Sequence, residues 1–243
     1  MRYLISFSYD GSKFHGYQKQ NDVNSIQEEL ESKLTMINDG KEVLVSASGR
    51  TDAGVHAYGQ CAHFDLDIYI TCDKLKKALN SLLDGSIYIK SVKEVSNDFH
   101  ARFNVKQKEY IYKINLGEYN PIEKNYIYQY NNSLNIKDMK EAIKLFEGTH
   151  NFKSFTKANV ETEDFVRTIF STDINILNNI LTISFLGSGF MRYMVRNMVG
   201  FLIEIGEGKR NISDVTTVLL LEDRTKAGKT AAPEGLYLNK VIY

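Results

Sequence analysis

Apolar positions in the first part of the chain fall into two rhythms. Strand-like runs are expected at Tyr3–Tyr9, Val43–Ala47, Gln60–Leu66 and Ile87–Val95, where β-branched and aromatic residues are bounded by polar turns. Helical spacing marks Ser25–Ile37, with Ile26, Leu30, Leu34 and Ile37 on one face, and Asp73–Leu83, with Leu75, Leu79, Leu82 and Leu83. Ser25 followed by Glu28 forms a capping-box pattern, and Asp84-Gly85 is a stop signal. In the second part, strands are expected at Glu109–Leu116, Thr168–Leu177, Ile180–Leu186 and Leu236–Ile242. Helices are expected at Ile136–Phe146, Phe190–Ile205 and Ser213–Leu221, and the stretch around Asn120-Pro121 reads as loop.

That order gives βαββαβ once in each half, so the expected fold is α+β: two ferredoxin-like, RRM-like βαββαβ halves whose antiparallel sheets flank a central cleft. The halves are placed at 1–104 and 105–243, the second with an inserted helix. They share architecture without a residue-level repeat. RNA-recognition modules use the same element order, which raises the expectation of an RNA partner.

Composition adds limits. With 43% hydrophobic and 25% charged residues, the 243-residue chain has the make-up of an ordinary soluble globular protein. The N-terminus, Arg2 followed by a strand-like run, does not read as a signal peptide. The longest apolar stretch, Phe190 to Ile205, is broken by Arg192, Arg196 and Glu204, which argues against a membrane span. Cys61 and Cys72 lack metal-ligand spacing, and the five histidines form no HxxxH or HExxH pair, so no metal is expected. The cysteine usage fits a cytoplasmic protein. Net charge is zero, yet Arg102, Lys106, Lys108 and Lys113 face only Glu109 between His100 and Lys113, a local excess of positive charge.

The densest candidate chemistry lies in Ser48-Gly49-Arg50-Thr51-Asp52-Ala53-Gly54-Val55-His56, which follows an expected strand. Between two glycines it presents a single carboxylate, a guanidinium and a hydroxyl. This string resembles the catalytic motif of the tRNA pseudouridine synthases of the TruA family. Phe99-His100-Ala101-Arg102-Phe103 with Lys108-Glu109-Tyr110-Ile111-Tyr112 resembles a second block. Gly189–Gly200 resembles a third, and Ala232-Pro233-Glu234-Gly235-Leu236-Tyr237-Leu238 a fourth. Shorter echoes are Phe14–Gln18, Gly148–Phe152 and Val166–Ile169, all in the family's order from end to end. Tyr17 stands where the family commonly has tryptophan, and the chain contains none.

The resemblance implies an isomerase that flips a uridine out of the anticodon stem-loop of tRNA, at positions 38, 39 and 40, and rejoins its base through C5 without a cofactor. It implies Asp52 as the essential catalytic residue, a nucleophile or base that attacks C1′ or C6 or removes the 2′ proton. It further implies that Arg196 orients Asp52, that Tyr110 stacks on the flipped base with Leu236 on the other side, and that Arg50 assists flipping. A homodimer is implied, with each tRNA touching both subunits. Lysines outnumber arginines 22 to 8, yet six arginines (Arg50, Arg102, Arg167, Arg192, Arg196, Arg224) fall in or beside these blocks. Such placement points to positions that need a planar, bidentate donor rather than charge alone. Two other readings compete. One is a non-catalytic RNA-binding protein of tandem ferredoxin-like domains, in which no chemistry depends on Asp52. The other is a phosphate-binding or hydrolytic enzyme, for which the GxxxxGK[ST] string and nucleophile elbow are missing.

Overall fold

A computed structural model describes residues 1–157 and 164–243. The elements are β1 (Arg2–Tyr9), α1 (Ile26–Ile37), β2 (Ser46–Ala47), β3 (His56–Asp65), α2 (Cys72–Leu82), β4 (Ile87–Glu94), β5 (Gln107–Asn115), β6 (Tyr128–Gln129), α3 (Ile136–Lys144), β7 (Gly148–Asn151), β8 (Val166–Leu177), β9 (Ile180–Gly187), α4 (Met194–Gly206), α5 (Asp214–Leu221) and β10 (Leu236–Ile242). Helices and mostly antiparallel strands mix in an α+β architecture. Two compact units form, one from Met1–Lys106 with Tyr237–Tyr243, the other from Gln107–Leu236.

In the first unit β1 lies between β4 and β3, antiparallel to both. The far edge of β3 takes β2 antiparallel at Ser46↔His63 and β10 parallel at Tyr237↔His56. Strict alternation along β1 sends Tyr3, Ile5, Phe7 and Tyr9 into the core. Arg2 sits directly opposite Asp65 and grips it with two hydrogen bonds, from Nε at 2.9 Å and from a terminal nitrogen at 2.7 Å, which pins the register. The Ser25 hydroxyl accepts from the Glu28 amide at 3.3 Å, and α1 buries Ile26, Leu30 and Leu34 as its spacing requires.

Only Ser46 and Ala47 of the expected strand Val43–Ala47 join a ladder. The amides of Val43 and Val45 donate instead to Thr35 Oγ1 and Glu31 Oε1 on α1, so two strand donors are taken by helix side chains. β3 begins earlier than expected, at His56, because β10 supplies partners there.

In the second unit the order is β5, β9, β8, β7, with every neighbouring pair antiparallel. Within the stretch read as loop, β6 adds a short parallel pairing to β5. α4 is buried almost all round. It starts at Met194 rather than Phe190, because Tyr193 adopts a left-handed conformation (φ 65°) that no continuous helix accommodates. Arg192 therefore precedes the helix and does not share a helical face with Arg196.

Candidate active site

The loop between β2 and β3 carries Arg50, exposed, and Asp52, half-buried. Its main chain is held from several sides. The Tyr17 amide donates to the Thr51 carbonyl at 3.1 Å, and the Val55 amide to the Asp52 carbonyl at 3.2 Å. Gly16, at φ +100°, lies so close that a Cβ there would stand 3.1 Å from the Thr51 carbonyl oxygen and 3.2 Å from the Ala53 amide. Backbone conformation and proximity both demand glycine at that point, so Phe14–Gln18 acts as a floor beneath the Asp52 loop. On the other flank, Gln60 Nε2 donates to the Gly49 carbonyl at 2.9 Å, and Ser48 Oγ donates to Gln60 Oε1 at 2.7 Å. Tyr9 reaches Thr51 Oγ1 at 2.8 Å.

The neighbouring histidines serve structure. His56, almost fully buried, accepts the Gly11 amide at Nδ1 (3.0 Å) and stacks on Tyr237, which stacks in turn on Tyr58. His63 accepts the Ala101 amide at Nδ1 (3.1 Å), and burial lowers its pKa from the ordinary imidazole value. Both rings accept a backbone amide at Nδ1.

In the second unit Tyr110 lies on β5 opposite Phe185, nearly buried, with the Phe190 ring edge-on at 5.2 Å. Arg196 projects from the first turn of α4, its Nε donating to the Ala231 carbonyl at 2.8 Å and its guanidinium 5.0 Å from the Tyr193 ring centre. The Ala231 amide returns a bond to the Arg196 carbonyl at 3.0 Å. One residue on, the Ala232 carbonyl accepts the Tyr112 hydroxyl at 2.7 Å, and a Cβ on Gly235 would stand 2.7 Å from the Tyr112 ring. Leu236 follows directly, 6% exposed. The segment from Ala231 to Leu236 thus ties α4 to β5.

Of the residues that brace that segment, sequence reasoning marked Arg224 as a position needing a planar donor and missed Asn197 and Thr230. Asn197, fully buried, donates to the Phe155 carbonyl at 2.7 Å and accepts from Arg224 (3.0 Å) and Thr230 Oγ1 (2.7 Å). Arg224 also donates to the Gly228 carbonyl at 2.9 Å. The available signal was an asparagine inside an otherwise apolar helix, which must find partners when buried. Arg50 and Asp52 share one loop of the first unit, while Tyr110, Arg196 and Leu236 belong to the second. Among the described residues, no three His, Cys, Asp or Glu side chains cluster as a metal site, and no helix is long and apolar enough to cross a membrane.

Comparison with known proteins gives this arrangement its context. A family model described as tRNA pseudouridine synthase matches residues 5–104 and 142–243. The tRNA pseudouridine synthase A of Geobacillus sp. (strain WCH70) is 46% identical over 243 residues, covering 100% of this chain and 98% of its own. The protein of that name from Streptococcus agalactiae serotype Ia is 44% identical over 245 residues, covering 100% and 95%. The one from Listeria monocytogenes serovar 1/2a is 43% identical over 245 residues, covering 100% and 99%. Among solved structures, a chain from a Cbf5-Nop10-Gar1 complex aligns over 83% of this chain and 45% of its own, at TM-score 0.36 and 11% identity, too loosely to bear on the fold. A family model matching both ends of the chain, and relatives of more than two-fifths identity over its whole length, lead to one conclusion: the chain belongs to the tRNA pseudouridine synthase family.

Proposed function

We propose that this chain isomerises uridine to pseudouridine in the anticodon stem-loop of tRNA, at positions 38, 39 and 40, with Asp52 as the essential residue. The observation that carries this reading is the full-length identity of 46% to a tRNA pseudouridine synthase A, in a chain whose Gly49–Gly54 loop holds one carboxylate. In the reaction the C1′–N1 bond breaks and a C1′–C5 bond forms. The C5 proton leaves to solvent and N1 gains a proton, so atoms and electrons balance without an external reactant. Asp52 supplies the nucleophile or base. Arg196 is the cation that orients it, Tyr110 and Leu236 hold the flipped base, and Arg50 helps extrude it. The bracing of Arg196 through Nε supports its part, since a guanidinium fixed on one edge keeps its other edge in a set direction.

The first unit, with α1 and α2 as crossovers and strands ordered β4, β1, β3, β2, supports a ferredoxin-like reading of that half. The order β5, β9, β8, with α3 and α4, supports the same reading of the second. A homodimer in the cytoplasm completes the proposal: at zero net charge per chain, a second copy would add basic surface for the tRNA phosphates. Modification mapping tests the target directly. Transcripts carrying a single uridine at position 38, 39 or 40 should each gain one pseudouridine, and a transcript with none of the three should gain none. Modification elsewhere in the tRNA would refute the assignment of the stem-loop. Light scattering at the assay concentration should report twice the chain mass.

A further inference from the structure

Three polar side chains buried in the first unit are not explained by packing. Gln60 and Ser48 are fully buried and Tyr9 is 5% exposed. Apolar residues would fill these positions without the cost of burying polar groups. Their hydrogen bonds converge on the Asp52 loop. Gln60 Oε1 accepts from Ser48 Oγ at 2.7 Å and from the Cys61 amide at 3.1 Å, while its Nε2 donates to the Gly49 carbonyl at 2.9 Å. The Ser48 amide donates to the Cys61 carbonyl at 2.7 Å. The Tyr9 hydroxyl bonds Thr51 Oγ1 at 2.8 Å. The entry to the loop, at Ser48 and Gly49, is therefore held from Gln60 on β3, and Thr51, the residue beside Asp52, from Tyr9 on β1. Burial pushes the Tyr9 phenol up to about 12, so it is a neutral hydroxyl at neutral pH.

We propose that Tyr9 and Gln60 form a buried clamp that sets the position of Asp52, making them positioning residues for the isomerisation. The proposal rests on Asp52 being the catalytic carboxylate. Both elements of the clamp lie on central strands, and the loop they hold takes further main-chain support from Gly16 and from the amides of Tyr17 and Val55. Loosening the clamp lets the carboxylate wander from its reacting atom, and a shift of about 1 Å costs about a hundredfold in rate.

The test compares Tyr9→Phe, Thr51→Val and Thr51→Ser with wild type and Asp52→Asn in a tritium-release assay on uracil-5-labelled tRNA. Tyr3→Phe serves as control. It removes a phenol hydrogen bond from the same strand, to the Ile70 carbonyl at 2.8 Å, away from the loop. Tyr9→Phe and Thr51→Val should each lower kcat by about 10- to 100-fold with KM for tRNA within about twofold. The double variant should be no slower than the slower single. Thr51→Ser, which keeps the hydroxyl, should restore most of the rate, and Tyr3→Phe should turn over normally at temperatures where it is folded. Thr51→Val alone decides if Tyr9→Phe does not fold. Wild-type kcat in Tyr9→Phe or Thr51→Val, beside an inactive Asp52→Asn, would overturn the clamp. An active Asp52→Asn would instead overturn the assignment of the carboxylate, and the clamp with it.

Discussion

Gly200→Ala tests the bracing of Arg196 from inside the helix. Gly200 lies in α4, where alanine normally stabilises by about 1 kcal/mol through helix propensity. Here a Cβ would stand 1.9 Å from the Lys229 carbonyl oxygen and 3.2 Å from the Ala231 amide nitrogen. The nearer atom belongs to the backbone, so no side chain can swing aside. Restoring ordinary contact requires the 229–231 segment to retreat by more than 1 Å, and overpacking of that kind costs about 3 kcal/mol. The net change is a destabilisation of about 2 kcal/mol, or about 4–8 °C in Tm for a chain of this size. The retreat also pulls the Ala231 carbonyl away from Arg196 Nε, so kcat should fall along with Tm. Thermal unfolding by circular dichroism and the tritium-release rate, measured below the transition, give the two readouts. A Gly200→Ala variant as stable as wild type, or more so, would refute the close approach.

Other positions give sharper single contrasts. Arg196→Lys keeps the charge but loses the Nε donor to Ala231, and should lower kcat/KM about tenfold or more; full activity would show that charge alone suffices there. Tyr17→Phe removes a buried hydroxyl that has no hydrogen-bond partner among the described residues, so denaturant unfolding should show no loss and a gain of up to about 1 kcal/mol. A clear loss would mean that the hydroxyl is bonded in solution. The hydrogen bonds and charge of Arg2 hold the Asp65 carboxyl below its ordinary value, so its contribution is present above about pH 4 and is lost as pH falls through the lower folded value. Asp65→Asn should therefore cost up to about 1 kcal/mol at neutral pH, the carboxylate being largely exposed, and less at pH 2. An equal cost at both pH values would contradict the ion-pair account.

Much of the molecule was legible because its signals are local. The α1 cap at Ser25, the apolar face of α1 and the alternation of β1 each follow from residues a few positions apart, and α3, α5, β4 and β9 fall within two residues of expectation. What failed to read was settled at long range. Val43 and Val45 look like strand residues, but their amides are claimed by Glu31 and Thr35 across a turn. Tyr193 looks like helix interior until its left-handed backbone is seen. The parallel pairing of β10 with β3 joins residues about three-quarters of the chain apart and leaves no local mark. The candidate site divides in the same way. The glycine-bracketed loop around Asp52 announces its chemistry in six consecutive residues. Its supports, Tyr9, Gln60 and Gly16, are scattered singly through strands and turns, and Asn197 and Thr230 are likewise isolated in sequence. Nothing in a lone glutamine on a strand says which loop it will hold.

Asp52→Asn is the most direct test of the central claim. The two side chains are nearly the same size, and Asp52 lies half-buried on a loop outside the packed core, so the fold and tRNA affinity should be retained. Tritium release from uracil-5-labelled tRNA, measured under single-turnover conditions with enzyme in excess, isolates the chemical step from product release. The account predicts that wild type releases the label from the anticodon stem-loop while folded, tRNA-binding Asp52→Asn releases none above background. Release by Asp52→Asn at more than a few per cent of the wild-type rate, in protein free of contaminating synthase, would contradict it.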